Sequence, residues 1–308
     1  MSGGGGGFFP GNTDPNDFMN KVREARAQVN DQAYQAEIEA LLIGELSQAN
    51  SRDTDDMRLR LDAIAGLLDE EIEGNVELLF GGSVAKHTYV DGLSDVDMLV
   101  LLDNSELADK SPKEVKMYFS DTLRSHLPDA PIWTGDLSVT VQLDEYEIQL
   151  LPAIRHGEHF RIANESGEDW STIQPALFAS KLSEVNRACS GGLVPAIKLI
   201  KSVIGNFPKQ RKLSGYHVEA LAVDLFSHYS GFRTPKHMLE YFFQGAPELV
   251  LKPLKDITGQ SSSVDTYLGS EGSLERQLVA DSLNRVGRRI KNANVAHSID
   301  DWRALLGD

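Results

Sequence analysis

The sequence predicts an α+β fold, with a mixed sheet in the first part of the chain and helices in the second. Two observations carry this prediction. Apolar runs of strand length lie between Val76 and Ile154, separated by turn residues and by a capped helix. From Gln174 onward, apolar residues recur at helical spacing. Elements mixed in this order favour an α+β sheet domain, and a cleft between the sheet and the helices is the expected ligand site.

The first elements in the chain are two predicted helices. Residues 1–16 are rich in Gly and then in Pro, Asn and Asp, so we predict a disordered leader. Asp17 is a candidate cap for a helix that extends to about Ala49. A second amphipathic helix is expected after the cap candidates Ser51 and Asp53.

The predicted sheet follows these helices. The apolar runs Val76–Phe80 and Met98–Leu102 have the length of buried strands. The tetrad Ser111–Glu114 is a capping box with proline at the first helical position, and it predicts a helix. Leu137–Leu143 alternates apolar and polar residues, and Tyr146–Ile154 follows after a short turn. This pair predicts a hairpin.

The second part of the chain is predicted to be helical, interrupted by Gly-rich and Pro-containing breaks. We expect three regions: the leader 1–16, a core 17–170 that includes both N-terminal helices, and a helical domain 171–308. The expected helices are Pro175–Cys189, Leu193–Ile204, Ser214–Tyr229, Pro235–Phe243, Ser273–Asn292 and Ser298–Leu306.

Composition restricts the function. The net charge of −16 argues against a protein that coats nucleic acid non-specifically, because that requires a basic surface. The only cysteine is Cys189, which excludes an intrachain disulfide and favours a reducing compartment. We find no secretory signal and no apolar run near the ~20 residues of a membrane helix, so we expect a cytoplasmic protein without a membrane partner. The segment His156–His159 lacks the spacing of a zinc-protease helix and is expected to be a polar loop.

One stretch has the pattern of a metal and phosphate site. Gly82 and Ser83 interrupt an apolar run, and Asp95 and Asp97 then lead into the strand Met98–Leu102. Residues two apart on a strand point the same way, so the two carboxylates should project together. Such a pair is costly without a cation between the carboxylates, and it suits Mg²⁺ together with substrate phosphates. The alternative is a glycine turn before a strand whose aspartates are solvated.

These motifs resemble a known superfamily. Gly-Gly-Ser83 followed by Ser-Asp-Val-Asp at 94–97 resembles the signature of polymerase-beta-like nucleotidyltransferases. LVPAIKLIKSV at 193–203 and LSGYHVEAL at 213–221 resemble the helical core of the oligoadenylate synthase and cyclic GMP-AMP synthase superfamily. The chain from about 17 to 300 resembles bacterial CD-NTases, the cyclic-oligonucleotide synthases of CBASS anti-phage systems. The resemblance implies a polymerase-beta-like mixed sheet, a C-terminal helical domain and a cleft between them.

The resemblance also implies roles for the site residues. Asp95 and Asp97 would hold two Mg²⁺ ions, for which Mn²⁺ could substitute. Gly82 and Ser83 would bind the terminal phosphates of a nucleoside triphosphate.

The helical part would supply further contacts. Lys201 would reach the triphosphate, and Lys198, one turn earlier, is the alternative. Tyr216 would stack on a nucleobase, and Ser214 would contact phosphate. Relatives often have serine where this chain has Gly215.

The sequence departs from the family at a third carboxylate. The position expected to carry it is Gln149. Glu147 lies on the same strand face and could replace it as a catalytic residue, as could Asp144 after a register shift. Three interpretations remain open: Glu147 completes the site, the enzyme works with two carboxylates, or the protein is inactive.

The resemblance implies an enzyme that joins ATP, and possibly other nucleoside triphosphates, into a cyclic oligonucleotide second messenger and releases pyrophosphate. It also implies HORMA-domain regulators and a Trip13-like ATPase as partners, and it leaves a nucleic-acid activator open. The alternatives are a linear oligoadenylate synthase or another nucleotide-adding transferase, and a catalytically silent nucleotide- or partner-binding module.

Overall fold

The computed structural model consists of a mixed sheet covered by helices and joined to a helical half. It describes residues 15–49, 54–73, 77–80, 82–90, 96–102, 105–144, 146–157, 159–164, 166–259 and 261–307. The helices are α1 Pro15–Ala49, α2 Thr54–Glu71, α3 Gly82–Ala85, α4 Pro112–His126, α5 Pro175–Ala188, α6 Leu193–Gly205, α7 Gly215–Phe226, α8 Pro235–Leu249, α9 Leu274–Ala296 and α10 Ile299–Leu306. The strands are β1 Glu77–Phe80, β2 Val96–Leu101, β3 Ile132–Thr134, β4 Val139–Leu143, β5 Tyr146–His156, β6 His159–Ala163 and β7 Trp170–Ile173.

The sheet places β2 and β5 side by side at its centre. The strand order is β1-β2-β5-β4-β3, and β6 and β7 continue from the end of β5. β2 and β5 run parallel, with Asp97 opposite Gln149, and the other described neighbours are antiparallel. Val96, Met98 and Ile148 are fully or nearly buried. Because side chains alternate across a strand, Asp97 and Gln149 project from the opposite face of the sheet.

The predicted capping box is confirmed at the start of α4. Ser111 Oγ accepts a hydrogen bond from the Glu114 backbone N–H at 3.3 Å, and Glu114 Oε2 accepts one from the Ser111 N–H at 2.9 Å. The helix then buries Val115, Phe119 and Leu123. These residues belong to the same apolar cluster as the buried face of β2, so the box fixes the helix that covers this face.

The two N-terminal helices pack in different parts of the molecule. In α1, Tyr34, Ile38 and Leu42 are buried in the core of the helical half, and the Tyr34 hydroxyl donates to the Ala293 carbonyl at 2.9 Å. In contrast, α2 places its buried residues, among them Leu68, in the sheet core. The division at residue 170 stays a prediction. The helix α1 begins at Pro15, and residues 1–14 of the expected leader lie outside the described residues.

Several elements differ from the sequence prediction. His156 and His159, expected in a polar loop, are instead the last residue of β5 and the first residue of β6, and they are paired with each other. Strands β3, β6 and β7 were not expected, because runs of three to five residues carry little periodicity.

Among the described residues, one bent pair of helices has the combined length and apolar content of a membrane span. In the part of the chain that the structure describes, no single helix has the length and apolar content to cross a membrane. The pair consists of Pro175–Ala188 and Leu193–Gly205, which reach this length and apolar content only when taken together and are bent by 107° at the break between them. Both helices bury apolar residues in the helical core.

Candidate active site

The Gly-Ser turn and the strand carboxylate are in contact. Gly82 has a φ of +49°, a region that favours glycine, and it begins the short helix α3. A Cβ atom at Gly82 would overlap the Asp97 carboxylate. Ser83 is buried, and its backbone N–H is hydrogen-bonded to Asp97. Glycine is therefore required at position 82 both for the backbone conformation and for the approach of Asp97.

We expect Gly82→Ala to cut activity at least tenfold, because the new methyl group displaces the Asp97 carboxylate. It should also lower the free energy of unfolding by roughly 1–2 kcal/mol through the left-handed backbone conformation. Gly157→Ala is the matched control. Gly157 has a φ of +63° in the β5–β6 turn, but a Cβ there meets nothing within 4 Å. Both variants should lose a similar free energy of unfolding, but only Gly82→Ala should lose activity. Equal activities of the two variants would contradict the contact between Gly82 and Asp97.

Asp97 lies in a strongly perturbed electrostatic environment. Burial raises the pKa of its carboxyl group to about 6. The Lys86 and Lys201 ammonium groups and the Ser83 backbone hydrogen bond lower this pKa, whereas the Glu219 carboxylate raises it. A buried carboxylate with an elevated pKa is a frequent feature of functional sites and is suited to binding a cation.

Two lysines meet a buried carboxylate beside Asp97. Lys201 Nζ lies 2.8 Å from Glu219 Oε1 and donates to the Thr88 carbonyl at 3.0 Å. Lys86 Nζ lies 2.5 Å from Glu219 Oε2. The Thr88 hydroxyl also donates to Glu219, so residues after α3 are joined to α6 and α7. This cluster connects the sheet half of the molecule to its helical half at the cleft.

The aromatic side chain of Tyr216 forms part of the wall of the cleft that contains Asp97. The Tyr216 ring packs edge-to-face on Phe178 with centroids 4.9 Å apart, and Lys86 Nζ lies 5.2 Å from the Tyr216 centroid. The Tyr216 hydroxyl donates to Asp256 Oδ1 at 2.9 Å. Asp256 also accepts from Thr258 and Ser261. The hydrogen bond to Asp256 and the contact with Phe178 thus hold the ring in place.

A chain of polar groups, which runs from the exposed Ser214 and Tyr267 to the buried His217, Asp265 and Arg276, supports this wall. The Ser214 backbone N–H donates to the Tyr267 hydroxyl at 3.0 Å, and this hydroxyl lies 3.0 Å from His217 Nδ1. His217 Nε2 lies 3.5 Å from Asp265 Oδ2, which accepts from Arg276 at 2.7 Å. Burial lowers the pKa of His217 well below its usual range; Asp265 opposes the decrease and Arg276 adds to it. His217 is therefore neutral near pH 7.

This neutrality predicts a pH dependence of stability. Since the folded-state pKa of His217 is lowered, the unfolded chain binds the proton first as pH falls. The free energy of unfolding contributed by His217 is complete above about pH 6.5 and decreases below it, by up to ~1.4 kcal/mol per pH unit. Chemical denaturation between pH 5 and 8 gives the free energies of unfolding of wild type and His217→Asn. The difference between the two should be constant above about pH 6.5 and should change below it. Parallel curves would contradict a neutral His217.

Most of the predicted site residues converge on one cleft of about 460 Å³. The cleft is lined by Gly82, Ser83, Asp97, Lys201, Ser214, Tyr216 and Gln149, the last of which is the position expected to carry a third carboxylate. Lys198 and Glu147 are described but are not among the lining residues, and Asp144 lies in the β4–β5 turn, paired with Arg60. Asp95 lies outside the described residues.

Sequence reasoning missed several lining residues. Lys86 lies at the end of the first turn after the Gly-Ser motif, and Glu219 lies within the LSGYHVEAL segment. For both residues, the available sequence signal was their position within or directly after a recognised motif. Asp256, Ser261 and Ser263 come from the segment after α8, for which the sequence offers no motif.

Few described side chains in the cleft could ligate a divalent cation. No group of three or more His, Cys, Asp or Glu side chains that could hold a metal occurs among the described residues. The described donors are the Asp97 carboxylate and, opposite it in the parallel register, the Gln149 amide. Oxygen donors of this kind suit Mg²⁺ when substrate phosphates supply other ligands, so the residues fit the ion.

The mixed sheet with its Gly-Ser turn and strand carboxylate, joined to the helices that carry Lys201 and Tyr216, is a fold that solved structures of other proteins share. CdnC from E. coli MS115-1 with ATP has a TM-score of 0.67 at 16% identity, covering 87% of this chain and 97% of that one. The Bradyrhizobium diazoefficiens CD-NTase CdnG with GTP has a TM-score of 0.64 at 12% identity, covering 86% and 94%. Escherichia coli DncV in its 3′-deoxy GTP bound form has a TM-score of 0.63 at 11% identity, covering 94% and 88%.

These structural neighbours are bacterial CD-NTases. The predicted α+β class and the predicted resemblance are therefore confirmed at the level of the fold. No protein-family model matches the sequence, and no curated protein matches it.

Proposed function

We propose that this protein is a Mg²⁺-dependent nucleotidyltransferase that joins nucleoside triphosphates, with ATP prominent among them, into a cyclic oligonucleotide. The observation that carries the proposal is the convergence of Gly82, Asp97, Lys201 and Tyr216 on one cleft in a CD-NTase fold. The neighbours include CdnC with ATP and CdnG with GTP, which supports nucleoside triphosphates as substrates. The anti-phage role and the cytoplasmic location are part of the same proposal.

The cleft suits a triphosphate and its base. The Lys201 and Lys86 ammonium groups provide positive charge beside the Gly-Ser turn, where phosphate oxygens would accept hydrogen bonds. Tyr216 offers a fixed aromatic face to a nucleobase, and Ser214 lies at the start of α7 in the same cleft. Phosphoryl transfer depends mainly on positioning and charge neutralisation, which these residues supply.

Asp97, together with Asp95, would hold the magnesium ions. When bound, Mg²⁺ would neutralise charge on the triphosphate and make the attacking ribose hydroxyl more acidic. In the transfer, the hydroxyl oxygen bonds to the α-phosphorus and releases its proton to solvent, and the bond from that phosphorus to pyrophosphate breaks. The protein's part is to keep the two substrates in line and their charges compensated.

At the third acidic position, the geometry favours an enzyme with two carboxylates. Gln149 lies opposite Asp97 and lines the cleft, so its amide oxygen is a neutral metal ligand where the sequence resemblance implies a carboxylate. Glu147 lies two residues before Gln149 on the same face of β5. Loss of activity in Glu147→Gln with retention in Gln149→Ala would instead assign the third carboxylate to Glu147.

Partners are proposed from one of the structural neighbours. A CdnC structure from E. coli MS115-1 contains a HORMA protein, so a HORMA-domain protein is the proposed regulator of this chain. A Trip13-like ATPase acting on that regulator rests on the sequence resemblance.

The test is incubation of the purified protein with radiolabelled nucleoside triphosphates and Mg²⁺, followed by phosphatase. Phosphatase-resistant product is expected. Phosphatase-sensitive oligonucleotides would indicate a linear oligoadenylate synthase instead. The absence of product, also with a HORMA-domain partner added, would leave the silent binding module, which the neutral Gln149 in the cleft favours as the second candidate.

A further inference from the structure

Glu219 is an acidic residue buried inside a cationic wall. Its side chain is 1% exposed, whereas those of Lys201 and Lys86 are 5% and 13% exposed. Each carboxylate oxygen contacts one ammonium group, and the Thr88 hydroxyl donates to Oε1 as well. Although burial raises the pKa of Glu219, Lys86 and Lys201 lower it below the usual range, so the carboxylate is ionised.

The two lysines need a shared counter-charge to occupy one wall. Burial is the main cause of the lowered pKa of Lys201, and the nearby Lys86 ammonium group lowers it further. One carboxylate between two ammonium groups leaves a net charge of +1. A buried carboxylate of this kind is costly unless both oxygens are paired, as they are here.

The hydrogen bonds of the Lys201 ammonium group determine its orientation. A lysine ammonium has three N–H donors on a flexible stem. Among the described residues, two of the Lys201 donors have acceptors, Glu219 Oε1 and the Thr88 carbonyl. The direction of the third donor is thereby fixed, and Lys201 lines the cleft. Fixing a long side chain before binding removes the entropy cost of ordering it later.

We propose that Glu219 is a positioning residue that holds Lys86 and Lys201 in the orientation in which they contact the phosphates of a bound nucleoside triphosphate. This inference rests on the proposed function for the identity of the ligand. Glu219 contacts the lysines and acts through them.

The experiment is a double-mutant cycle on equilibrium binding of ATP with Mg²⁺, measured by calorimetry. Lys201→Met in the wild-type background is expected to weaken ATP binding at least tenfold. Glu219→Gln keeps the shape and removes the charge, and it should also weaken binding at least tenfold. In the Glu219→Gln background, Lys201→Met should cost less than threefold, because an unpositioned lysine contributes little. A purely structural role would leave the two effects additive.

Control variants keep the result interpretable. Asp224→Asn changes an exposed acid on the same helix and should leave ATP affinity unchanged. Circular dichroism checks folding, and Glu219→Asp, which retains the charge on a shorter arm, replaces Glu219→Gln if the latter does not fold; a three- to tenfold loss is then expected. ATP affinity in the Glu219 variants equal to that of wild type, or additive effects, would overturn the proposal while leaving the proposed function in place. Failure of wild type to bind ATP would overturn both.

Discussion

Asp97→Asn is expected to reduce cyclic-oligonucleotide synthesis by two to three orders of magnitude, on the order of the loss of one preorganised electrostatic contact. The amide keeps the volume of the carboxylate but removes the charge that would hold a divalent cation. We expect folding to be preserved, because burial already makes the ionised Asp97 unfavourable in the metal-free protein and raises its pKa to about 6. A neutral side chain at this position should therefore leave the melting temperature unchanged or higher at pH 7.

The measurement is product formation from radiolabelled ATP together with thermal unfolding without added metal. Asp129→Asn, in an exposed turn after α4, is the matched control and should retain both activity and stability. The double variant Asp95→Asn, Asp97→Asn should be equally inactive. Retention of more than a tenth of wild-type activity in Asp97→Asn would contradict the metal assignment.

Arg276→Met is expected to cause the largest loss of stability, about 3–5 kcal/mol in the free energy of unfolding. The Arg276 side chain is completely buried, pairs with the equally buried Asp265 and donates to backbone carbonyls, including those of Val250 and Gly269. Removing the guanidinium leaves Asp265 as an uncompensated buried charge. The segment held by this arginine includes cleft residues such as Ser263, so ATP binding should weaken as well.

Chemical denaturation measures the effect on stability. Arg288→Met, which changes an exposed arginine on the same helix, is the control and should alter the free energy of unfolding by less than ~0.5 kcal/mol. Combining Arg276→Met with Asp265→Leu should recover part of the loss, because the unpaired carboxylate is then absent. A loss below 1 kcal/mol in Arg276→Met would mean that the ion pair does not hold the cleft segment.

Local sequence signals were sufficient for much of the fold. The capping box at Ser111, the α6 and α7 helices and the β4–β5 hairpin follow from periodicity and turn chemistry, which act over a few residues. Strands such as β6 and β7 were missed because so few residues carry no clear pattern and pair through contacts made after the chain folds back.

Choices between neighbouring residues needed the tertiary structure. Lys198 and Lys201 are one helical turn apart, and only the packing of α6 places Lys201 at the cleft. Glu147 and Gln149 share a strand face, and the parallel register with β2 sets Gln149 opposite Asp97. Lys86 and Glu219 carry no joint signal, because more than a hundred residues separate them in the sequence.

The sequence by itself determined the α+β class and the positions of a Gly-Ser turn and a strand aspartate, since strand alternation and glycine backbone freedom are local properties. The role of these residues as a phosphate and metal site stays a prediction. Only the tertiary structure decided how Gly82 contacts Asp97, that Glu219 joins two lysines at the cleft, and that Gln149 rather than Glu147 lies opposite Asp97. Those arrangements depend on strand register and on helix packing between distant segments, which no local pattern specifies.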